Sequence, residues 1–185
     1  MKQTFTRSIP TTAQQNLFQA PSSPSAGKSV CVYRVCLVKD ATVSFGQEAF
    51  VNNSHQAHAL IQNLIVNRGW PDREQFVVAM LNAKNKIIGL NIVSVGVLSS
   101  AQVHPREVLK PAILANSSAM ILCHNHPSND ISPSNDDLEV TRKIIKAADI
   151  IGIQVHEHLI INMEDNRFFS FADEGYIKRF YDEID

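Results

Sequence analysis

Two histidines and one aspartate in the second half of the chain have the types and the spacing of metal ligands. One residue separates His124 from His126, so both imidazoles point to the same face if this segment is an extended strand. Seven residues separate His126 from Ser134, a helix-capping residue three positions before Asp137. A loop that returns the chain to the strand end would bring these side chains together. His124, His126 and Asp137 therefore predict a catalytic zinc site, because such sites use three protein ligands and leave a fourth position for water.

A zinc site of this kind needs a base that takes the proton from the water and passes it to the leaving amine. Glu74 is the first candidate, because it directly precedes a predicted strand whose edge can hold a carboxylate beside a neighbouring strand end. Glu107 is the second candidate. The Ser134 hydroxyl can point at the oxygen that becomes negative in a tetrahedral intermediate. The residues predict a hydrolase with Glu74 and Ser134 as its catalytic groups.

Each of these features also has a purely structural interpretation. Ser134-x-x-Asp137 ahead of an apolar helix is a capping box, in which both side chains satisfy free backbone amides. Glu74 beside Arg73 fits a solvated surface pair, and Glu107 fits a helix-start carboxylate that the helix dipole favours. The metal interpretation is favoured because all the ligands occur together, at this spacing, with prolines on both sides of the loop.

The remaining histidines and cysteines carry weaker signals. His156 and His158 form a second pair without the HExxH zinc pattern, so we expect a structural role, with His158 lining the site. Cys31, Cys36 and Cys123 lack disulfide-framework spacing and lie in apolar runs, which suits a reducing cytoplasm. We expect Cys123 to be a buried strand thiol.

Apolar periodicity predicts the elements that must position these residues. Residues 29–38 (SVCVYRVCLV) are β-branched and aromatic on both faces, which predicts a mostly buried strand. A helix is predicted over about 54–67, and the runs 75–81 and 87–95 flank a turn-prone segment typical of a β-hairpin. The later predicted elements are a helix from Pro105 that Pro111 could kink, an apolar run at 120–123, a helix from Ser134 to before Gly152, and strands at 153–162 and 167–171. Strands interleaved with three helices indicate an α/β fold, a mixed β-sheet flanked by helices.

The composition is that of an ordinary globular domain with a flexible end. Of the 185 residues, 44% are apolar and 19% charged. Residues 1–27, rich in Ser, Thr, Gln and Pro, are expected to be a disordered tail, and 28–185 a single metal-binding domain. A net charge of -1 argues against a nucleic-acid-binding domain. Since no membrane-helix stretch or signal peptide is found, we expect a cytoplasmic protein without a membrane partner.

The ligand pattern resembles that of a known enzyme family. His124, His126, Ser134 and Asp137, with Glu74 upstream, fill in order the H-x-H-x7-S-x2-D pattern of the JAMM (MPN+) metalloproteases. The segments VHPREV, HNHPSND, PSNDD and HLII resemble the bacterial RadC-type branch, whose usual wording is HPRE, HNHPSGD, PS..D and DH.I. This resemblance covers about residues 73–176. It implies a JAB/MPN-like, cytidine-deaminase-like architecture with a curved mixed sheet, and a zinc-bound water activated by Glu.

Three departures from the RadC-type pattern stand out. Asn129 replaces the usual Gly, and Asn tolerates the left-handed backbone better than most residues. Glu157 replaces the Asp that usually precedes the late His. Residues 1–70 show no trace of the helix-hairpin-helix region of long members, which weakens a DNA role.

Two functions from different classes follow. The first is a zinc metallopeptidase acting on peptide or isopeptide-linked protein substrates, since the better-studied relatives cut isopeptide bonds to ubiquitin-like proteins. The alternative is a DNA-repair or mobile-element-associated accessory protein with a RadC-like fold. A nucleobase deaminase would need H-x-E and P-C-x-x-C patterns, and the sequence has neither.

Overall fold

A mixed five-stranded β-sheet organises the protein, whose computed structural model describes residues 31–42, 50–69, 72–96 and 103–184. The expected tail at 1–27 lies outside these described residues. The described strands are β1 (Gln75–Leu81), β2 (Ile87–Val95), β3 (Ala119–Asn125), β4 (Gln154–Ile161) and β5 (Phe168–Ser170). The described helices are α1 (Ser54–Arg68), α2 (Pro105–Leu114), α3 (Asn135–Ile151) and α4 (Tyr176–Asp182).

The strand order in the sheet is β2-β1-β3-β4-β5. β1 pairs antiparallel with β2 on one side and with β3 on the other, which confirms the predicted hairpin. β3 and β4 are parallel, and α3 is the crossover that a parallel pair requires. β5 lies antiparallel beside β4. Because α3 follows β3, the start of this helix returns to the end of β3, where the predicted metal ligands lie.

Alternate side chains of the central strands enter two separate apolar cores. Val77 and Ala79 of β1 pack in a core with residues of α1, and Phe76 and Val78 pack in the other, with residues of α2, α3 and α4. Every residue of β1 and β3 is buried, because helices cover both faces of the sheet. Burial on both faces explains why these strands are continuous apolar runs. The α/β fold class, a mixed sheet flanked by helices, is confirmed.

The strand predicted at 29–38 is wrong for the residues that the structure describes. Residues 31–40 form neither helix nor strand, and Val32 and Tyr33 are 97% and 84% exposed. β-branched residues stabilise a strand only where a neighbouring strand edge and a packed face are available. Residues 35–40 of this segment pair with none of the five strands described above. Residues 29 and 30 lie outside the described part of the chain.

Two helices differ from the sequence-based prediction. α4 was not predicted, because its seven residues are too few to show a clear period; Ile177 and Phe180 anchor it in the core. α2 continues through Pro111 as far as Leu114. Its first turn begins with Pro105, where a missing N–H costs nothing, and the preceding His104 caps it by accepting from the N–H of Arg106 at 3.3 Å.

Across the described ranges, none of the helices has both the length and the apolar character needed to cross a lipid bilayer.

Candidate metal centre

The start of α3 holds Asp137 against the end of β3 through a capping box. The Ser134 hydroxyl oxygen accepts from the N–H of Asp137 at 3.1 Å, and Asp137 Oδ2 accepts from the N–H of Ser134 at 2.8 Å. The Ser134 hydroxyl also lies 2.6 Å from Oδ2 of Asp137. The structural interpretation of this motif is therefore correct, but it uses only Oδ2. Oδ1 of Asp137 lies 3.1 Å from Nε2 of His124.

Two imidazole nitrogens and the Asp137 carboxylate converge on one point. Nε2 of His124 lies 3.0 Å from Nε2 of His126, and Nε2 of His126 lies 3.6 Å from Oδ2 of Asp137. Metal–ligand distances of about 2.0–2.1 Å place neighbouring atoms of a tetrahedral site about 3.3 Å apart. The separations between these three side chains therefore fit a bound divalent metal ion.

The proton on His126 supports the same conclusion. Its Nδ1 lies 2.7 Å from the carbonyl oxygen of Asp130. A carbonyl can only accept, so Nδ1 of a neutral His126 carries the proton and Nε2 presents a lone pair. This lone pair points toward His124 and the Asp137 carboxylate. A cation between these three side chains would bind the lone pairs of the two histidines and the Asp137 carboxylate, which otherwise face one another.

Burial and hydrogen bonding determine the charge of the site. Burial raises the pKa of Asp137, but its contacts with His124, His126 and the Ser134 hydroxyl outweigh burial and hold this pKa well below its usual range. The hydrogen bond with Asp137 raises the pKa of His126, although partial burial lowers it. Asp137 is therefore an anion that attracts either a proton on His126 or a metal ion.

Glu74 lies beside the two histidines. One carboxylate oxygen of Glu74 and one ring nitrogen each of His124 and His126 lie within 4.8 Å of one another, a group that could hold a metal ion. The antiparallel register explains this position, because Phe76 lies opposite His124 and two further residues along each strand lead to Glu74 and His126. Glu74 is half-buried, as expected for a group at the rim of a site.

Asn125, between the two histidines, fixes the backbone on both sides of Glu74. Its Oδ1 accepts from the N–H of Gln75 at 3.0 Å, and its Nδ2 donates to the carbonyl oxygen of Arg73 at 2.9 Å. The Asn125 side chain is buried, so its bond with Gln75 is shielded from water. The sequence reasoning missed this residue, although its place inside H-N-H was a signal.

The second histidine pair is divided by an irregularity in β4. Met120 lies opposite Val155 but Ile121 lies opposite Glu157, so His156 has no partner residue in the register. His156 is exposed, whereas His158 is fully buried. Nε2 of His158 lies 2.8 Å from Nδ1 of His124, on the side of the ring opposite the candidate metal position. Burial lowers the pKa of His158 well below its usual value, so its ring is neutral.

Thr141 completes this contact chain and was missed by the sequence reasoning. Its hydroxyl oxygen lies 2.6 Å from Nδ1 of His158 and 2.5 Å from the carbonyl oxygen of Asp137, one helical turn earlier. In the sequence, Thr141 stands in the apolar stripe of α3. A hydroxyl one turn after a predicted ligand was the available signal.

Glu107, the second candidate base, lies on the surface of α2. It pairs with Lys110 at 2.5 Å and with Arg106 at 3.4 Å, and the hydrogen bond from Lys110 lowers its pKa. It is absent from the group formed by Glu74 and the two histidines among the described residues. Cys123 is a buried free thiol, as expected, and burial raises its pKa well above the usual value.

The residues that depart from the RadC-type pattern are accommodated. Asn129 has the left-handed backbone, with a φ of 57°. Its Oδ1 accepts from the N–H of Met163 at 3.1 Å, a bond that glycine could not make. Glu157 is buried and accepts from Ser170 Oγ at 2.6 Å and from the N–H of Ala172 at 3.0 Å. Burial raises the pKa of Glu157 despite these bonds.

Comparison with known proteins finds one family and many relatives. The family described as "RadC-like JAB domain" matches residues 51–176. A UPF0758 protein of Caldanaerobacter subterraneus is 45% identical over 117 residues, which is 63% of this chain and 49% of the relative. UPF0758 proteins of Desulfitobacterium hafniense and Rubrobacter xylanophilus are each 48% identical over 106 residues, 57% of this chain and 46% and 45% of those relatives. The chain spans about half the length of the curated relatives it matches.

Proposed function

The chain belongs to the family of RadC-like JAB domains, and from this premise we propose that it is a zinc-dependent metallopeptidase or isopeptidase. The observation that carries the proposal is the convergence of His124, His126 and Asp137, with separations of 3.0–3.6 Å between their donor atoms. Two nitrogens and one carboxylate are the donor set of hydrolytic zinc sites, which keep a fourth position open. Under this proposal, the ligands are His124, His126 and Asp137.

The chemistry of the reaction is divided between the metal and Glu74. A zinc ion with an open position lowers the pKa of a water to about 7 and polarises a substrate carbonyl. Glu74 takes the proton from the attacking water and later gives it to the leaving amine. Its position beside the two histidines supports this role, and Asn125 fixes the backbone on both sides of it.

Ser134 has a double role in this proposal. In the structure its hydroxyl lies 2.6 Å from Oδ2 of Asp137 and helps to orient that carboxylate. With a metal held by His124, His126 and Asp137, the Ser134 hydroxyl would turn from this carboxylate toward the substrate and donate to the oxygen that becomes negative in a tetrahedral intermediate.

The proposed substrate is a peptide or an isopeptide-linked protein, because a base that can protonate a leaving amine suits amide cleavage. The net charge of -1 gives no support to the alternative, a DNA-associated accessory role. The three free cysteines suit a reducing compartment, and we propose the cytoplasm.

Metal analysis combined with turnover tests the proposal. Purified protein should carry about one zinc per chain, as one site of this donor set predicts, and should cleave members of a panel of peptide and isopeptide-linked substrates. Removal of zinc with a chelator should abolish cleavage, and zinc alone should restore it. His126→Ala should lose both zinc and activity. Stoichiometric zinc in His126→Ala, or cleavage that a chelator leaves unchanged, would contradict the assignment.

A further inference from the structure

We propose that His158 and Thr141 are positioning residues that hold His124 in the one tautomer able to bind a metal ion. The inference rests on the proposed function, because it assigns residues that serve the same site. Neither residue belongs to the ligand set, and both are fully buried. They form a chain of hydrogen bonds from Nδ1 of His124 through His158 to Thr141.

The contact between Thr141 and the backbone of Asp137 determines where the protons lie in this series of hydrogen bonds. The Thr141 hydroxyl oxygen is 2.5 Å from the carbonyl oxygen of Asp137, which can only accept, so the single hydroxyl proton is donated there. Thr141 must then accept at its contact with His158, so Nδ1 of His158 carries a proton. A neutral imidazole has one N–H, so Nε2 of His158 is an acceptor.

The same logic fixes the protonation of His124. Since Nε2 of His158 accepts, Nδ1 of His124 must donate across their 2.8 Å contact. The Nε2 atom of a neutral His124 is then unprotonated, and it is the atom that faces His126 and Asp137. In the other tautomer, a proton on Nε2 would occupy the position of the metal.

The aromatic surroundings keep the rings in this arrangement. The Phe171 ring stacks on His158 with centroids 4.7 Å apart, and the Phe76 ring lies nearly parallel to His124 with centroids 6.0 Å apart. A rotation of either imidazole would break a buried hydrogen bond and displace a packed ring. The series of hydrogen bonds that starts at His124 ends at the backbone carbonyl of Asp137, whose side chain is a proposed ligand. This series, called the relay below, therefore links the two proposed ligands His124 and Asp137.

The expected effect is on metal affinity. Groups that orient metal-binding histidines through the second ring nitrogen contribute about 10–100-fold in affinity or activity. Thr141→Val keeps the shape of the side chain but removes the hydroxyl, so His158 can reverse its tautomer. We expect Thr141→Val to weaken zinc binding about 10–100-fold, and Thr141→Ser, which restores the hydroxyl, to bind zinc within about threefold of the unaltered protein.

Two measurements test the inference. Competition with a chromophoric zinc chelator gives the affinity of each variant, and long-range ¹H–¹⁵N NMR of the zinc-free protein gives the tautomer of His124. The zinc-free protein should show the proton on Nδ1, and Thr141→Val should shift it toward Nε2. Ile145→Val, a buried change on the same helix, is the matched control and should change neither measurement.

The outcomes separate this inference from the proposed function. Unchanged zinc affinity in Thr141→Val, or a His124 proton on Nε2 in the zinc-free protein, would overturn the relay even if the protein binds zinc. A protein that binds no zinc but carries the His124 proton on Nδ1 would support the relay and overturn the proposed function.

Discussion

At the scale of single residues, the two histidines of the candidate centre are oriented by different means. His126 is 17% exposed and donates from Nδ1 to the carbonyl oxygen of Asp130. His124 is fully buried, and its Nδ1 contacts His158, which in turn contacts Thr141. With both rings neutral, each arrangement would leave an unprotonated Nε2 facing the proposed metal position.

The first prediction concerns the base. Glu74→Gln should keep zinc and the fold, since the side chain changes little in shape, but should lose about 10²- to 10⁴-fold in kcat, the usual contribution of general acid-base catalysis. Steady-state kinetics and metal analysis of the same preparation would measure both effects. The loss should appear in kcat more than in KM.

Glu107→Gln is the matched control for Glu74→Gln. Glu107 is an exposed partner of Lys110 on α2, so its replacement should leave kcat and zinc content unchanged. An inactive Glu107→Gln together with an active Glu74→Gln would show that the base has been assigned to the wrong carboxylate.

At the scale of elements, the loop between β3 and α3 determines how His126 is presented. Asn129 donates its backbone N–H to the carbonyl oxygen of His126 at 2.9 Å, and its own carbonyl oxygen accepts from Asn162 Nδ2 at 3.0 Å. The left-handed backbone at Asn129 allows both bonds, and Asp130 then meets the His126 ring. The loop therefore connects the end of β4 to the proposed ligand His126 through its backbone.

The second prediction tests the left-handed position. Asn129→Ala should reduce the free energy of unfolding by about 1–2 kcal/mol, because alanine keeps the Cβ but lacks the polar side chain by which asparagine tolerates this left-handed backbone, and should weaken zinc binding. Asn129→Gly removes the same contact with Met163 but has no Cβ, so it should lose no more than about 1 kcal/mol. Urea unfolding of the zinc-free variants measures the difference. Equal stability of the two variants would argue against strain at this residue.

At the scale of the whole molecule, metal binding should contribute to stability, since the proposed ligands lie at the end of β3 and in α3, and the candidate base directly precedes β1. These elements are apart in the unfolded chain, so the ion binds the folded state. A ligand at 100 times its Kd stabilises the folded state by about 2.7 kcal/mol. The coupling follows from the position of the site between elements.

The third prediction is that a chelator lowers the Tm. About 2.7 kcal/mol corresponds to roughly 5–10 °C for a domain of this size, since each kcal/mol shifts the Tm by about 2–4 °C. Thermal unfolding followed by circular dichroism, with zinc and with chelator, measures the shift. His126→Ala should show no such difference. A Tm that zinc does not change in the unaltered protein would be the contrary result.

The fourth prediction concerns the amino-terminal segment. Deletion of residues 1–27 should leave the Tm within a few degrees, because the segment lacks a periodic apolar face that could join a core. Thermal unfolding of the shortened and full chains measures it. A larger fall in the Tm would show that this segment packs against the domain.

The sequence alone determined the features that depend on near neighbours. The hairpin of β1 and β2 follows from two apolar runs around a short turn, and the bounds 75–81 and 87–95 agree with the structure. The start of α3 follows from the capping box at Ser134 and Asp137, which acts within one turn. The brief His-x-His spacing put His124 and His126 on one face, because strand periodicity is local.

Only the tertiary structure decided the features that depend on distant partners. The sequence could not predict the contact of Thr141 with His158 or that of His158 with His124, because they require β4 to pair beside β3 and α3 to pack against these strands. The register shift in β4 that separates His156 from His158 arises from pairing with β3. The alternation of apolar and polar residues in the sequence does not show it. Strand propensity at 31–38 was misleading, since a strand is stabilised by the edge and the face that receive it. These contacts, the register of β4 and the absence of a strand at 31–38 depend on long-range packing, which local sequence patterns do not encode.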